Sequence, residues 1–153
     1  MDGKVHVGNN FEDCQVGDEY VTTGRTITTT DVEIYTNYMG DYNPLYTDEE
    51  FAKTEVYATR IVPELLIYAI SIGQISRMRL FEGTMLGFDK IDIDFIKPSK
   101  TGDTITIKGK LIEKKETDRK EQGIVNFNVE VLNQRGEILA KSKQWILVCK
   151  KTD

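Results

Sequence analysis

Hydrophobic positions recur with a period of two through the second half of the chain. Ile91, Ile93 and Phe95 alternate with Asp92 and Asp94, and Ile105, Ile107, Gly109 and Leu111 alternate with Thr106, Lys108 and Lys110. Val125, Phe127, Val129 and Val131 alternate with Asn126, Asn128 and Glu130, and Ile138 to Val148 forms a fourth long run. This period puts the apolar side chains on one face of an extended chain, so the pattern predicts strands with one buried face. The turn Asn133-Gln134-Arg135-Gly136 joins the last two as a hairpin. Nearer the N-terminus, Tyr20 to Ile27 is rich in Thr, Tyr and Val and predicts a first strand, preceded by the turn Val16-Gly17-Asp18.

Between these strands the pattern is helical. Two Thr-x-x-Glu capping boxes, Thr30 to Glu33 and Thr47 to Glu50, predict two short helices, the first ending at Gly40. The segment Asp41 to Tyr46 is then a connection pinned at both ends, which gives its side chains fixed directions. Pro63 fits the first position of a third helix, with Glu64 in its first turn. The run Leu65 to Gly73 is apolar nearly all round, which predicts burial on most sides, and Arg77 and Arg79 mark its emergence into water. One long apolar helix followed by four long antiparallel strands is satisfied by a curved sheet wrapped around that helix. The expected fold is α+β, a single hot-dog domain over residues 11–153, with residues 1–10 a flexible polar tail.

Composition narrows the chemistry. The chain has 153 residues, 29% of them charged, and a net charge of −5, which argues against nucleic acid as a partner. Its nearest approach to a basic run, Lys114-Lys115 with Arg119-Lys120, is interleaved with acids and reads as a solvated turn. Cys14 and Cys149 have no metal-like spacing and read as free thiols. No apolar run is long enough to span a bilayer and no secretory signal is visible, so a cytoplasmic location is expected. The single histidine, His6, lies in the polar tail. A histidine-based metal site and a Ser-His-Asp or Cys-His arrangement are excluded unless the tail folds into a cleft, and no metal is expected.

The chain resembles the MaoC-like dehydratase family, which includes the (R)-specific enoyl-CoA hydratases. The resemblance is carried by Phe11-Glu12-Asp13, Val16-Gly17-Asp18, Thr30-Asp31-Val32, Gly40-Asp41-Tyr42-Asn43-Pro44-Leu45, Asp48 to Ala52, Arg60-Ile61-Val62, Phe95-Ile96-Lys97-Pro98 and Gly102-Asp103-Thr104. It implies the hot-dog fold and a lyase acting on acyl thioesters without a cofactor, with acyl-CoA or an acyl-carrier thioester as substrate or ligand.

In that family the loop reads Gly-Asp-x-Asn-Pro-x-His. The Asp and His hold the water that adds to an enoyl thioester, and backbone N–H groups of an Ile-x-His-Gly motif polarise the carbonyl. This sequence keeps Asp41, Asn43 and Pro44 but has Tyr46 at the histidine position and Pro63-Glu64 in place of His-Gly. Proline has no N–H, so an oxyanion contact falls to Glu64 or Leu65. An unperturbed phenol, with a pKa near about 10, is a poor base at neutral pH.

The candidate catalytic residues are therefore Asp41, Tyr46 and Glu64. Asn43 and Leu65 are candidates for substrate contact, and Lys97 and Lys100 for the CoA phosphates. Each has a structural alternative: an Asx turn for Asp41, loop shaping for Asn43, packing for Tyr46, a helix-start carboxylate for Glu64 and plain solvation for the lysines. Three functions stay open: a hydratase or dehydratase, a non-catalytic hot-dog subunit that binds acyl chains beside a catalytic homologue, and a thioesterase. All three predict a homodimer or dimer of dimers, or a hetero-oligomer with a catalytic homologue, because a lone hot-dog sheet leaves its edges open.

Overall fold

The computed structural model describes residues 8–151. After one turn of 3-10 helix come the strands β1 (Glu19–Val21) and β2 (Arg25–Thr26). Four helices follow: α1 (Thr29–Met39), α2 (Pro44–Thr47), α3 (Glu49–Thr54) and α4 (Glu64–Arg77). The long strands β3 (Met85–Phe95), β4 (Thr104–Glu116), β5 (Gln122–Leu132) and β6 (Ile138–Cys149) complete the chain. All pairings are antiparallel, in the order β1-β4-β5-β6-β3, with β2 also on β4. The sheet curves around α4, which is the hot-dog arrangement the alternation predicts.

Along β4, β5 and β6 the alternation sorts the side chains as expected, whereas no residue of β3 is buried and its Phe95 is 42% exposed, because β3 is the free edge of the sheet. Ile105, Ile107, Leu111, Val125, Val129, Val131 and Val148 are buried on the face turned to α4, together with Ile67 and Leu66 from the helix. Lys108, Lys110 and Asn128 face solvent on the other side.

Several elements differ from the sequence reading. The first strand is two short ones: Thr22 still donates its N–H to the Ile107 carbonyl at 2.9 Å, but the return bonds of Thr22 and Thr23 involve side chains. The Thr22 hydroxyl accepts the Ile107 N–H at 3.0 Å, and the Thr23 carbonyl accepts from Gln74 of α4 at 2.6 Å. The first capping box is Thr28 with Asp31, not Thr30 with Glu33, and Asp31 is further fixed by Arg25 Nη2 at 2.6 Å. Asp48, not Thr47, caps α3, because Thr47 is already the last residue of the one-turn helix α2. Pro63 is the N-cap of α4 rather than its first residue.

Lys114, read as part of a turn, lies in β4 and donates to the Cys14 carbonyl at 2.7 Å. The long helix is buried on one side only: Leu65 is 56% exposed and Ala69 and Gly73 are open to solvent. A single sheet covers one side of a helix, and nothing else among the described residues covers the other.

Of the expected N-terminal tail, residues 1–7 and with them His6 lie outside the described residues. Gly8 and Asn9 donate to the carbonyls of Glu82 and Leu80 at 2.6 and 2.7 Å. The approach is close enough that a Cβ at Gly8 would meet Glu82 N at 2.5 Å.

Candidate functional site

Residues between α1 and α4 form the candidate site. α1 ends at Gly40, whose φ of 68° is the left-handed cap that glycine adopts without strain. Asn43 then caps α2: its Oδ1 accepts the Leu45 N–H at 3.0 Å, and its carbonyl accepts from Tyr46 N at 2.9 Å. With Pro44 fixing the first helical φ, this turn sets the direction of Tyr46.

Two backbone bonds fix the segment before α4, the first to this turn and the second to the connection after β3. Ile61 N donates to the Leu45 carbonyl at 3.1 Å, and Val62 N to the Ser99 carbonyl at 2.8 Å. The Arg60–Glu49 ion pair at 3.1 Å braces α3 against the same segment.

These restraints bring Tyr46 and Glu64 together, with the phenol donating to Glu64 Oε2 at 3.1 Å. Burial, reinforced by the Glu64 carboxylate and more weakly by Asp41, pushes the Tyr46 phenol up to about 12. Tyr35 of α1, which the sequence reading did not single out, belongs to the same group. Burial raises its pKa as well, and Asp41 and Glu64 are the two charges that add to the effect. Its signal in the sequence was only its place three residues after Val32 on the packed side of α1. Tyr46 and Glu64 are thus in contact, and the charges of Asp41 and Glu64 are felt by both Tyr46 and Tyr35.

The start of α4 lies beside this group. Leu66 N and Ile67 N both donate to the Pro63 carbonyl, at 3.0 and 3.2 Å. Among the described residues, no carbonyl takes the N–H groups of Glu64 or Leu65. Two unpaired donors at a helix N-terminus carry partial positive charge and suit a carbonyl oxygen that gains negative charge.

The other candidates lie elsewhere. Lys97 pairs with Glu137 at 2.5 Å, by the β5–β6 hairpin, and Lys100 reaches the Tyr57 carbonyl at 3.5 Å. No group of three or more possible metal ligands occurs among the described residues. No described helix is long and apolar enough to cross a membrane.

An apolar cavity of about 460 Å³ lies away from this group, between the C-terminal half of α4 and the start of β3. It is lined by Ile72, Ile75, Met85, Leu86, Phe88 and Ile146.

A curved sheet around one helix, with a Gly-Asp-x-Asn-Pro turn feeding the helix start, defines a hot-dog domain. The chain belongs to the MaoC-like domain family, whose pattern it matches over residues 12–133. It is 28% identical over 153 residues to the β-methylmalyl-CoA dehydratase of Chloroflexus aurantiacus, covering 99% of this chain and 43% of that protein. It is 25% identical over 150 residues to the mesaconyl-CoA hydratase of Cereibacter sphaeroides, covering 97% of this chain and 43% of that one. The chain thus spans less than half the length of the curated relatives it matches. Among solved structures, it superposes on a monoamine oxidase regulatory protein from Archaeoglobus fulgidus with a TM-score of 0.89 and 31% identity, covering 95% and 97% of the two chains.

Proposed function

We propose that the protein is an enoyl-thioester hydratase, or the corresponding 3-hydroxyacyl-thioester dehydratase, in which two carboxylates replace the family's Asp–His pair. The observation that carries this reading is the Tyr46–Glu64 hydrogen bond, which ties the two departures from the family pattern into one unit beside Asp41.

A phenol held near about 12 stays protonated at neutral pH, so Tyr46 is not the base. It acts as a donor that fixes Glu64. In hydration, Asp41 takes a proton from water as the water oxygen bonds to Cβ. The free N–H groups of Glu64 and Leu65 hold the enolate oxygen that develops. The proton then passes from Asp41 by way of the Glu64 carboxylate to Cα, which leaves both carboxylates ionised and one water added across the double bond. Dehydration runs the same steps in reverse. No cofactor is needed.

A second reading is favoured by the same contact. If the bond between Tyr46 and Glu64 ties up the group that should hold water, the protein is a non-catalytic subunit that binds an acyl chain beside a catalytic homologue. In either case the acyl thioester is the ligand, and the working unit is a dimer or larger.

The test is a spectrophotometric enoyl-CoA hydration assay on the purified protein, with Asp41→Ala as control. Loss of enoyl absorbance that disappears in the variant supports the hydratase. Binding without turnover overturns it in favour of the silent subunit, and release of free thiol would point to a thioesterase.

A further inference from the structure

Charge is unevenly shared along this chain. Eight acidic and two basic residues lie between Thr29 and Glu64, the stretch that carries the candidate site, and outside it the two signs nearly cancel. Both basic residues of the stretch are already engaged, Arg60 by Glu49 at 3.1 Å and Lys53 by Glu50 at 2.7 Å. On neighbouring elements, Arg25 is held by Asp31 at 2.6 Å and Lys100 reaches the Tyr57 carbonyl at 3.5 Å. Among the described residues, neither Asp41 nor Glu64 is paired with a cation. Glu64 is fixed instead by a neutral donor, the Tyr46 phenol at 3.1 Å. A neutral donor leaves the carboxylate its full charge, and Tyr35 and Tyr46 both feel that charge together with the charge of Asp41. No basic residue lines the apolar cavity at the start of β3 either.

We propose that the site selects thioesters whose acyl group is uncharged and rejects those that carry a second carboxylate, an inference that rests on the proposed thioester substrate. In the proposed reaction Asp41 works at Cβ and Glu64 at Cα. A carboxylate two or three bonds beyond Cβ then lies roughly 5–8 Å from both, at about 1.5 Å per bond. Like charges at that separation, in a half-exposed site, weaken binding on the order of tenfold or more. The start of α4 offsets this only in part, because it carries about half a positive charge and its free N–H groups serve the thioester oxygen. No neighbouring cation can compensate without leaving the partner it already has. A site that welcomes a second carboxylate presents an unengaged arginine or lysine to it. Around Asp41 and Glu64 the described residues present none, and an uncharged acyl group meets no such repulsion.

The test is isothermal titration of the full chain with pentanoyl-CoA and glutaryl-CoA. The two are equal in length and differ in a terminal methyl against a terminal carboxylate, and both are saturated, so neither is hydrated during the titration. At low salt the wild type should bind pentanoyl-CoA on the order of tenfold tighter, and added salt should narrow the gap. Glu64→Gln and Asp41→Asn should each narrow it as well. Glu116→Gln, which removes one charge at the end of β4 beside Lys150, should leave it unchanged. Equal affinities in the wild type, tighter binding of glutaryl-CoA, or a gap that salt does not alter overturns the proposal, and the wild-type salt series decides even where a variant fails to fold. A gap that survives in both folded site variants overturns it too. Selective binding without enoyl turnover would leave the charge selection standing and sink the hydratase. Hydration of glutaconyl-CoA as fast as that of 2-pentenoyl-CoA would do the reverse. Failure to bind either thioester would overturn both.

Discussion

The phenol of Tyr46 donates to Glu64 Oε2 at 3.1 Å, so the turn before α2 and the start of α4 are joined through these two side chains. Glu64→Gln should lower the enoyl hydration rate by on the order of 10²–10⁴, the usual contribution of an acid–base group. Tyr46→Phe should lower it less, by roughly tenfold for one lost hydrogen bond to a charged group. The double variant should be no slower than Glu64→Gln alone. Strictly multiplicative losses would show that the contact is incidental to turnover.

Alkaline pH tests the same contact through stability. The ordinary phenol value is near 10, and in the folded protein Tyr46 stands at about 12, with Tyr20, Tyr35 and Tyr68 also raised, chiefly by burial. The folded state then holds protons that the unfolded chain releases, so stability falls as pH rises. The contribution is complete below pH 10 and is lost between 10 and about 12 for Tyr46. Urea midpoints should thus be flat approaching pH 10 and drop beyond it. A Tyr46→Phe variant should lose part of that drop. A midpoint that holds steady to pH 12 would contradict the assigned environments.

The fold was readable because alternation and burial agree along β4, β5 and β6, where one physical effect decides the outcome; along β3 they part, because its apolar residues stay exposed at the free edge. Where two local signals competed, the sequence alone could not choose. Thr28-Thr29-Thr30-Asp31-Val32-Glu33 contains two overlapping capping boxes, and Asp31 wins because Arg25, from another strand, pairs with it. The approach of Tyr46 to Glu64 needs three ties: the Asn43 turn, the Ile61–Leu45 bond and the Val62–Ser99 bond. None of these leaves a periodic trace. Gln74 sits in a helical run whose neighbours are apolar, and nothing in that run announces a side chain that reaches back to Thr23.

Asp103 should be the most sensitive polar residue in the fold. It is 6% exposed and accepts from Ser99 Oγ at 3.2 Å, Lys100 N at 3.0 Å and Gln134 Nε2 at 3.0 Å. Burial alone would raise its pKa, but these donors and Arg135 outweigh it and hold the carboxyl below its ordinary 3.8. Its stabilisation is therefore present above 3.8 and lost as pH falls through the depressed value. The turn it organises carries Ser99, whose carbonyl anchors Val62 ahead of α4. Asp103→Ala should cost about 2–3 kcal/mol in urea unfolding. It should also reduce turnover by loosening the start of α4. A stability loss with wild-type activity would separate this turn from the site.

Gly109 has no room for a side chain. A Cβ there would lie 2.1 Å from the Tyr20 ring, which packs on Phe127 at a centroid separation of 5.7 Å. In the alternation of β4 this position falls on the buried face, where the ring of Tyr20 fills the gap left by the missing side chain. Gly109→Ala should displace Tyr20 and destabilise by about 1–3 kcal/mol, read from the denaturant midpoint. The paired change Gly109→Ala with Tyr20→Ala should cost less than the sum of the two single changes, since the clash is gone.

The free edge of the sheet points to how the site is completed. β3 is the last strand in the order, and among the described residues its outer edge has no partner. Met85, Leu86, Phe88, Phe95 and Ile96, on or next to it, are all large exposed apolar residues. A long edge with apolar neighbours is a template for another strand. Two copies related by a two-fold axis would pair β3 with β3 in antiparallel fashion, setting the start of one strand beside the end of the other. The end of β3 leads through Pro98 and Ser99 to Val62 and the candidate site, whereas the apolar cavity lies at its start. Pairing would therefore bring the cavity of one copy toward the carboxylates of the other, giving an acyl chain somewhere dry to lie. Light scattering should return the mass of at least two chains. Leu86→Glu should shift the protein toward monomer and reduce turnover of long-chain enoyl thioesters more than that of short ones. A monomeric wild type, or a Leu86→Glu protein with unchanged mass, would leave β3 as a bare edge and the cavity unconnected to the site.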